Sequence, residues 1–309
     1  MASTQLHPSG GYYRTTHTAT EAEKIYDGIA YVYDTISAYH EDDVEEIIRL
    51  VNPGNNARCL DLGCGTGMVA FALKERVGKG FVLGIDCSAE MLKAAEVRGK
   101  KLQTKGVQTK GVQFRKGDIT LPACVKRIRK DFAGTYDLIS MVWTLSTILI
   151  ESQVPTLRMW ADMLAPGGRM VIERGDSRGE TATGEARRVE GSTPPIPAPL
   201  PRYAIADQQS YDVCRQEMEE LASLAGLTVK SMHGYYTKYT DKSAALEKEA
   251  LREWKKERMG PMERSFLVAY REGVMKDDME NWKGNGFGFY TKNVSLVMIV
   301  EKAGGVSAA

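Results

Sequence analysis

Asp61 stands two residues ahead of three alternating glycines in the run Leu60-Asp61-Leu62-Gly63-Cys64-Gly65-Thr66-Gly67. The apolar residues from Ala57 onward spell a short strand and Met68 to Val77 a helix, so the glycines mark a strand-to-helix turn. Backbone without Cβ lets a ligand come close there, and the first helical turn offers N–H groups that have no intrahelical partner. Such a turn is a nucleotide-type site, and charge decides what it takes. Met68 replaces the third glycine of a dinucleotide loop, G-x-G-x-x-G, and no G-x-x-x-x-G-K-[ST] lysine is present for a triphosphate. A carboxylate at Asp61 repels a pyrophosphate and attracts a cation. Further on, Gly84-Ile85-Asp86 ends a second apolar run, with the acid about twenty residues past the loop, where nucleotide folds bind ribose hydroxyls.

A ligand with an adenosine, no phosphate and two cationic groups satisfies both acids, and S-adenosylmethionine is such a molecule. Leu60 to Gly67 resembles motif I of the class I S-adenosylmethionine-dependent methyltransferases. The resemblance implies that Asp61, Gly63, Cys64 and Gly65 hold the cofactor together with Asp86, Cys87 and Met91 beside its adenosine. Lys116-Gly117-Asp118-Ile119 matches the family's adenine site, with Asp118 accepting from the amino group and Ile119 packing on the ring; a plain turn is the alternative. Tyr136 to Trp143 resembles motif IV, which implies backbone near Met141 against the methionine half. No N/D-P-P-Y/F signature of base-amine methylation follows it, and no Pro-Cys pair, so Trp143, Thr144 and Ser146 are expected to face a small acceptor. Trp143 could equally be a core residue, or a cation–π neighbour of the sulfonium. Tyr26-Asp27-Gly28-Ile29-Ala30-Tyr31-Val32-Tyr33-Asp34 resembles a segment that precedes motif I in small-molecule methyltransferases and closes over the cofactor, which implies Tyr26 and Tyr33 as cofactor contacts. An amphipathic helix whose tyrosines merely pack is the competing reading.

The elements that position these residues alternate. A helix over Glu21 to Ala38 carries Ile25, Ile29, Val32 and Ile36 at three- and four-residue steps, and a second carries Val44, Ile47, Ile48 and Val51 before Asn52-Pro53-Gly54. Strands are expected at Gly80 to Cys87, Val112 to Lys116, Tyr136 to Trp143, Arg169 to Arg174, Leu227 to Tyr236 and Val294 to Glu301. Helices are expected from Ser88, as cap, to Gln103, then Leu121 to Phe132, Glu151 to Leu164 and Tyr211 to Ala225. Leu164-Ala165-Pro166-Gly167-Gly168-Arg169 resembles the family's turn before the fifth strand. The expected fold is α/β: a doubly wound, mostly parallel seven-stranded sheet with an antiparallel last strand, an N-terminal helical lid and a helical insertion before the last strand.

Residues 21–175 and 205–303 are read as the methyltransferase domain, residues 1–20 and 304–309 as flexible ends, and 176–204 as a Pro-rich loop. The insertion, 241–290, carries aromatic residues that include Trp282 and Phe287, expected to wall the acceptor side; a dimer interface is the rival use, so monomer and homodimer both stand. A net charge of +1 gives no general field for nucleic acid. No run is apolar enough to span a bilayer, and five cysteines without C-x-x-C spacing suggest neither a metal site nor disulfides, hence a reducing cytoplasm. The expected chemistry is methyl transfer to an oxygen, nitrogen or sulfur of a small organic acceptor. A base is not obligatory; His233 is the first candidate, then Tyr236, Glu173 and His17, with Glu173 also expected at the substrate. Two alternatives stay open: a dinucleotide oxidoreductase, disfavoured by Asp61 and Met68, and a protein that keeps the fold and the cofactor without methyl transfer.

Overall fold

A computed structural model of the chain describes residues 18–36, 40–132, 134–175, 208–237 and 293–302. The first helix, α1 (Ala19–Ile36), starts two residues before its apolar pattern because a capping box closes it. Thr18 Oγ1 accepts from the Glu21 N–H at 3.3 Å while Glu21 Oε2 accepts from the Thr18 N–H at 2.7 Å. Next come α2 (His40–Val51), β1 (Arg58–Leu62), α3 (Met68–Val77), β2 (Phe81–Asp86) and α4 (Ala89–Thr104). Ser88 caps α4 as its sequence position suggested, its hydroxyl accepting from the Met91 N–H at 3.0 Å. The chain continues through β3 (Val112–Lys116), α5 (Pro122–Asp131), β4 (Tyr136–Met141), a 3₁₀ turn (Leu145–Thr147) and α6 (Ile150–Ala161). β5 (Leu164–Gly175), α7 (Gln208–Leu224), β6 (Leu227–Thr237) and β7 (Asn293–Lys302) complete it.

Two boundaries differ from expectation for local reasons. α6 stops at Ala161 and β5 already starts at Leu164, because Leu164 pairs with Tyr136 before Pro166-Gly167-Gly168 shifts the register to Leu138 and Arg169. The Pro-Gly-Gly turn is therefore a bulge inside the strand, with Gly167 at φ 72°. β4 ends at Met141, two residues early, because Trp143 adopts a left-handed φ of 53° that no strand continues through.

The strands form one sheet in the order β3-β2-β1-β4-β5-β7-β6, the first five parallel and β7 antiparallel to both neighbours. Alternation along the strands feeds two cores. Leu60, Leu62, Ile139 and Ile172 face α5, α6 and α7, whereas Cys59, Leu138, Val171 and Val297 face α2 and α3. The order reverses between β1 and β4, so the loops after these strands diverge at their carboxyl ends and leave a crevice there. The Pro-rich loop and the 241–290 insertion lie outside the described residues.

One core residue also shapes the crevice. Trp160 is fully buried and its Nε1–H donates to the Ile119 carbonyl at 2.7 Å, fixing the loop after β3. Trp160→Phe keeps the apolar bulk but strips a buried carbonyl of its donor, and should lower unfolding free energy by about 1–3 kcal/mol. Urea titration checks it: the midpoint falls while the slope stays that of the wild type.

Candidate functional site

The crevice holds one continuous cavity, lined by β1, β2 and β4 ends, the glycine loop, α1 and the segment from Trp143 to Ser152. Asp61 sits at its floor, 2% exposed. Its Oδ1 accepts from Ser140 Oγ on the adjoining strand at 2.7 Å, and its Oδ2 is buried without a hydrogen-bond partner. Burial pushes this carboxyl up to about 7, with the Asp86 charge adding to the shift and the Ser140 hydrogen bond opposing it. An acid left this uncompensated calls for a cationic partner.

Asp86 stands at the end of the next strand. Its Oδ2 accepts from the Gly65 N–H and its Oδ1 from the Ser88 N–H, each at 2.8 Å. These bonds aim a nearly buried carboxylate into the cavity with lone pairs to spare for a vicinal diol. Burial raises its pKa, and the two backbone donors work against that. At Gly65, φ is 52° and a Cβ would meet nothing within 4 Å, so the cavity itself occupies the room a side chain would take. Gly63 is different: a Cβ there would lie 2.4 Å from the Thr144 side chain, so this glycine lets the loop after β4 close on the loop after β1. Asp118 and Ile119 line the far end, where Asp118 Oδ1 accepts from both the N–H and the hydroxyl of Thr120. Cys87 is pushed up to about 12 and Cys64 well above its ordinary value, both mainly by burial, so they are wall and not nucleophile.

The N-terminal helix covers this cavity through a repeated Tyr-Asp pair, Tyr26-Asp27 and Tyr33-Asp34, two turns apart. Each tyrosine lines the cavity and their rings meet edge to face, centroids 6.1 Å apart. Each aspartate fastens the helix. Asp27 Oδ1 accepts from Ser88 Oγ at 2.6 Å and from the Glu90 N–H at 3.2 Å, adding a negative charge at the amino end of α4. Asp34 accepts from Thr66 of the glycine loop at 2.5 Å and pairs with Arg98 at 2.7 Å. Glu23 adds an ion pair with Lys116 at 2.5 Å.

The cavity thus gathers Tyr26, Tyr33, Asp61, Gly63, Cys64, Gly65, Asp86, Cys87, Met91, Asp118, Ile119 and Trp143. Met141 is not among them: it is fully buried in the core beside Ile139, because its side chain points to the α5–α7 face of the sheet. Glu173, fully buried, lies behind the wall, its Oε2 accepting from the Trp143 N–H at 2.9 Å. His233 is not brought to the cavity either. It belongs to the edge strand β6, with Nε2 3.0 Å from Ser231 Oγ. Tyr236 follows on that strand, in register with Val294. Ser146 lies on the 3₁₀ turn, one residue before the lining residue Thr147. His17, Trp282 and Phe287 lie outside the described residues. Sequence reasoning missed Ala19 and Ala22 on α1 and the stretch Thr147 to Leu149, which contribute lining without any motif.

Two expected outcomes follow from the acids. The folded-state pKa of Asp61 lies above its unfolded value, so its contribution to stability is complete at about pH 4 and is lost as pH rises through 7. Asp61→Asn should therefore raise the melting temperature at about pH 8 but not at about pH 4, while weakening cofactor binding; equal shifts at both would contradict the assignment. Asp27→Ala and Asp34→Ala should each unfasten the helix, seen as faster amide exchange across residues 19–36 with exchange in β1 and β4 unaltered.

Comparison with known proteins places the site in context. Residues 53–256 match the family described as methyltransferase domain. Nocamycin O-methyltransferase of Saccharothrix syringae is 30% identical over 150 residues, which cover 47% of this chain and 48% of that protein, so the chain spans about half the length of this curated relative. Among solved structures, the [4+2]-cyclase SpnF superimposes with a TM-score of 0.58 at 15% identity, covering 93% of this chain and 97% of that one. A methyltransferase from Thiobacillus denitrificans, solved with S-adenosyl-L-homocysteine, gives a TM-score of 0.50 at 15% identity over 88% of this chain and 98% of that one. These last two likenesses are of fold. With two thirds of the sequence matched and a seven-stranded sheet in the order β3-β2-β1-β4-β5-β7-β6, the chain belongs to the methyltransferase domain family, in its class I form.

Proposed function

We propose that this protein transfers the methyl group of S-adenosylmethionine to an oxygen, nitrogen or sulfur atom of a small organic acceptor. The observation that carries the reading is the pair of buried acids on neighbouring strands, Asp61 with an uncompensated oxygen and Asp86 held by two backbone donors, opening into one cavity. Family membership and the named O-methyltransferase relative support it.

Asp61 would hold the ammonium, Asp86 the ribose diol, and Asp118 with Ile119 the adenine; Gly65 leaves backbone room between them. Bound there, the cofactor supplies a methyl group on a positively charged sulfur, electrophilic enough to be displaced in line. The chain's own contribution is to fix both reactants and keep water out. α1 closes the cavity from above with Tyr26 and Tyr33, and the apolar Ile148 and Leu149 dry its side. Neither Cys64 nor Cys87 is ionised to compete as nucleophile. No proton transfer is assigned to His233, whose strand lies at the sheet edge; an acceptor that is already nucleophilic needs none.

No helix among the described residues is long and apolar enough to cross a membrane. A place in the cytoplasm, as monomer or homodimer, is part of the proposal; the free thiols of Cys59, Cys64, Cys87 and Cys124 fit a reducing compartment.

Incubation with methyl-labelled S-adenosylmethionine and a small-molecule extract should move label into a product of low molecular mass. Label that stays on the cofactor across chemically diverse extracts, despite measurable binding, would refute transfer and leave a cofactor-binding protein. Asp86→Asn, which puts an amide NH2 where one backbone N–H and the diol need an acceptor, should weaken cofactor binding at least about tenfold in calorimetric titration.

A further inference from the structure

Trp143 is one of two described non-glycine residues with positive φ, and it lines the cavity. A left-handed backbone is strained for a residue as bulky as tryptophan, and such a conformation persists only when its surroundings over-determine it. Here the restraints come from both sides. The peptide N–H of Trp143 donates to Oε2 of Glu173, a fully buried carboxylate on β5, at 2.9 Å. On the other side Thr144, 6% exposed, puts its Oγ1 at 3.0 Å from the Leu62 and Val142 carbonyls, with its side chain filling the space that the bare Cα of Gly63 leaves. The strained residue is clamped between β5 and the glycine loop.

The clamp sits at the cation end of the cavity. Trp143 follows Ser140, the hydrogen-bond partner of Asp61, by three residues, and its neighbour Thr144 touches the glycine loop two residues past Asp61. The indole is half-buried: part packs on the apolar cluster of α2 and α3, and part faces the cavity. An indole face is the strongest aromatic side-chain partner for a cation, and its benefit grows where water is excluded.

We infer that Glu173 and Thr144 are positioning residues that hold the Trp143 indole, through its left-handed peptide, as the wall for the positively charged sulfur of the cofactor. The inference rests on the proposed S-adenosylmethionine site. Glu173 is then neither a base nor an acceptor contact; it acts through the Trp143 peptide. The wall favours the sulfonium over the neutral sulfide left after transfer, which would also help product leave.

Comparison of S-adenosylmethionine with S-adenosylhomocysteine isolates the charge, since the two differ at the sulfur by a methyl group and a positive charge. Calorimetric titration of wild type and variants should show Trp143→Leu losing about fivefold or more in affinity for the sulfonium and under about twofold for the sulfide. Glu173→Gln, which retains a carbonyl to accept from the Trp143 N–H, should stay within about twofold of wild type for both. Glu173→Leu should reproduce the selective loss, and adding it to Trp143→Leu should cost nothing more. Should Glu173→Leu fail to fold, Thr144→Val takes its place in the same cycle. Equal losses for both ligands, or additive losses in the double variant, would overturn the inference. Wild-type protein that binds neither ligand would instead overturn the site reading itself.

Discussion

The buried carboxylate of Asp86 is the junction on which the rest of the site depends. One oxygen takes the Gly65 N–H and the other the Ser88 N–H, so one side chain fixes the glycine loop after β1 and the start of α4 after β2. Ser88 then passes the restraint on: its hydroxyl accepts from the Met91 N–H and donates to Asp27 of the covering helix. The covering helix is thereby linked, through Ser88, to the residue that holds the loop. Each of these groups is buried or nearly so, where a hydrogen bond to a charged acceptor is worth more than at the surface and its absence costs more. A change at Asp86 would disturb three elements together, which is the physical reason the acid proposed to bind the ribose is also a structural one.

How far this was legible from the sequence depended on whether the relevant residues adjoin in the chain. Asp61 and the three glycines are contiguous, and the chemistry of a turn off a strand can be argued from them alone; Asp86 is legible because the length of one strand-helix-strand unit is nearly constant. At Met141 the expectation concerned backbone only, and alternation sends the side chain into the core with Ile139 while Val142 and Trp143, the next two residues, line the cavity. The roles of Asp27 and Asp34 could not be read locally, since the Asp27 partner lies 61 residues away and the Asp34 partner 32. The Tyr-Asp repeat was visible as a repeat, but its division into a tyrosine that lines and an aspartate that fastens needs the packed helix. His233 looked promising because β6 ends among aromatic residues, yet strand order puts it at the sheet edge, and strand order is a global property.

The left-handed Trp143 shows the same limit from another side. Nothing in Met141-Val142-Trp143-Thr144 suggests that the strand should stop, since valine and tryptophan both favour extended backbone. The stop is imposed by Glu173, 30 residues downstream, and by the fit of Thr144 against Gly63. Local preference and tertiary demand disagree at this residue, and disagreements of this kind are expected to collect where ligands bind.

Asp61 completes the pattern. A carboxyl raised to about 7 by burial is a cost that the empty fold bears at neutral pH, and replacing it with a neutral group would make the apo protein more stable. Its retention on the cavity floor is intelligible only if a cation arrives to offset the burial. The left-handed tryptophan after β4 is a second cost, one that the chain itself holds in place through Glu173 and Thr144. Of the two, the acid says more about the ligand, because only positive charge offsets its burial. A pocket built only from satisfied groups would be stable and uninformative; this one carries an acid oxygen with no hydrogen-bond partner among the described residues.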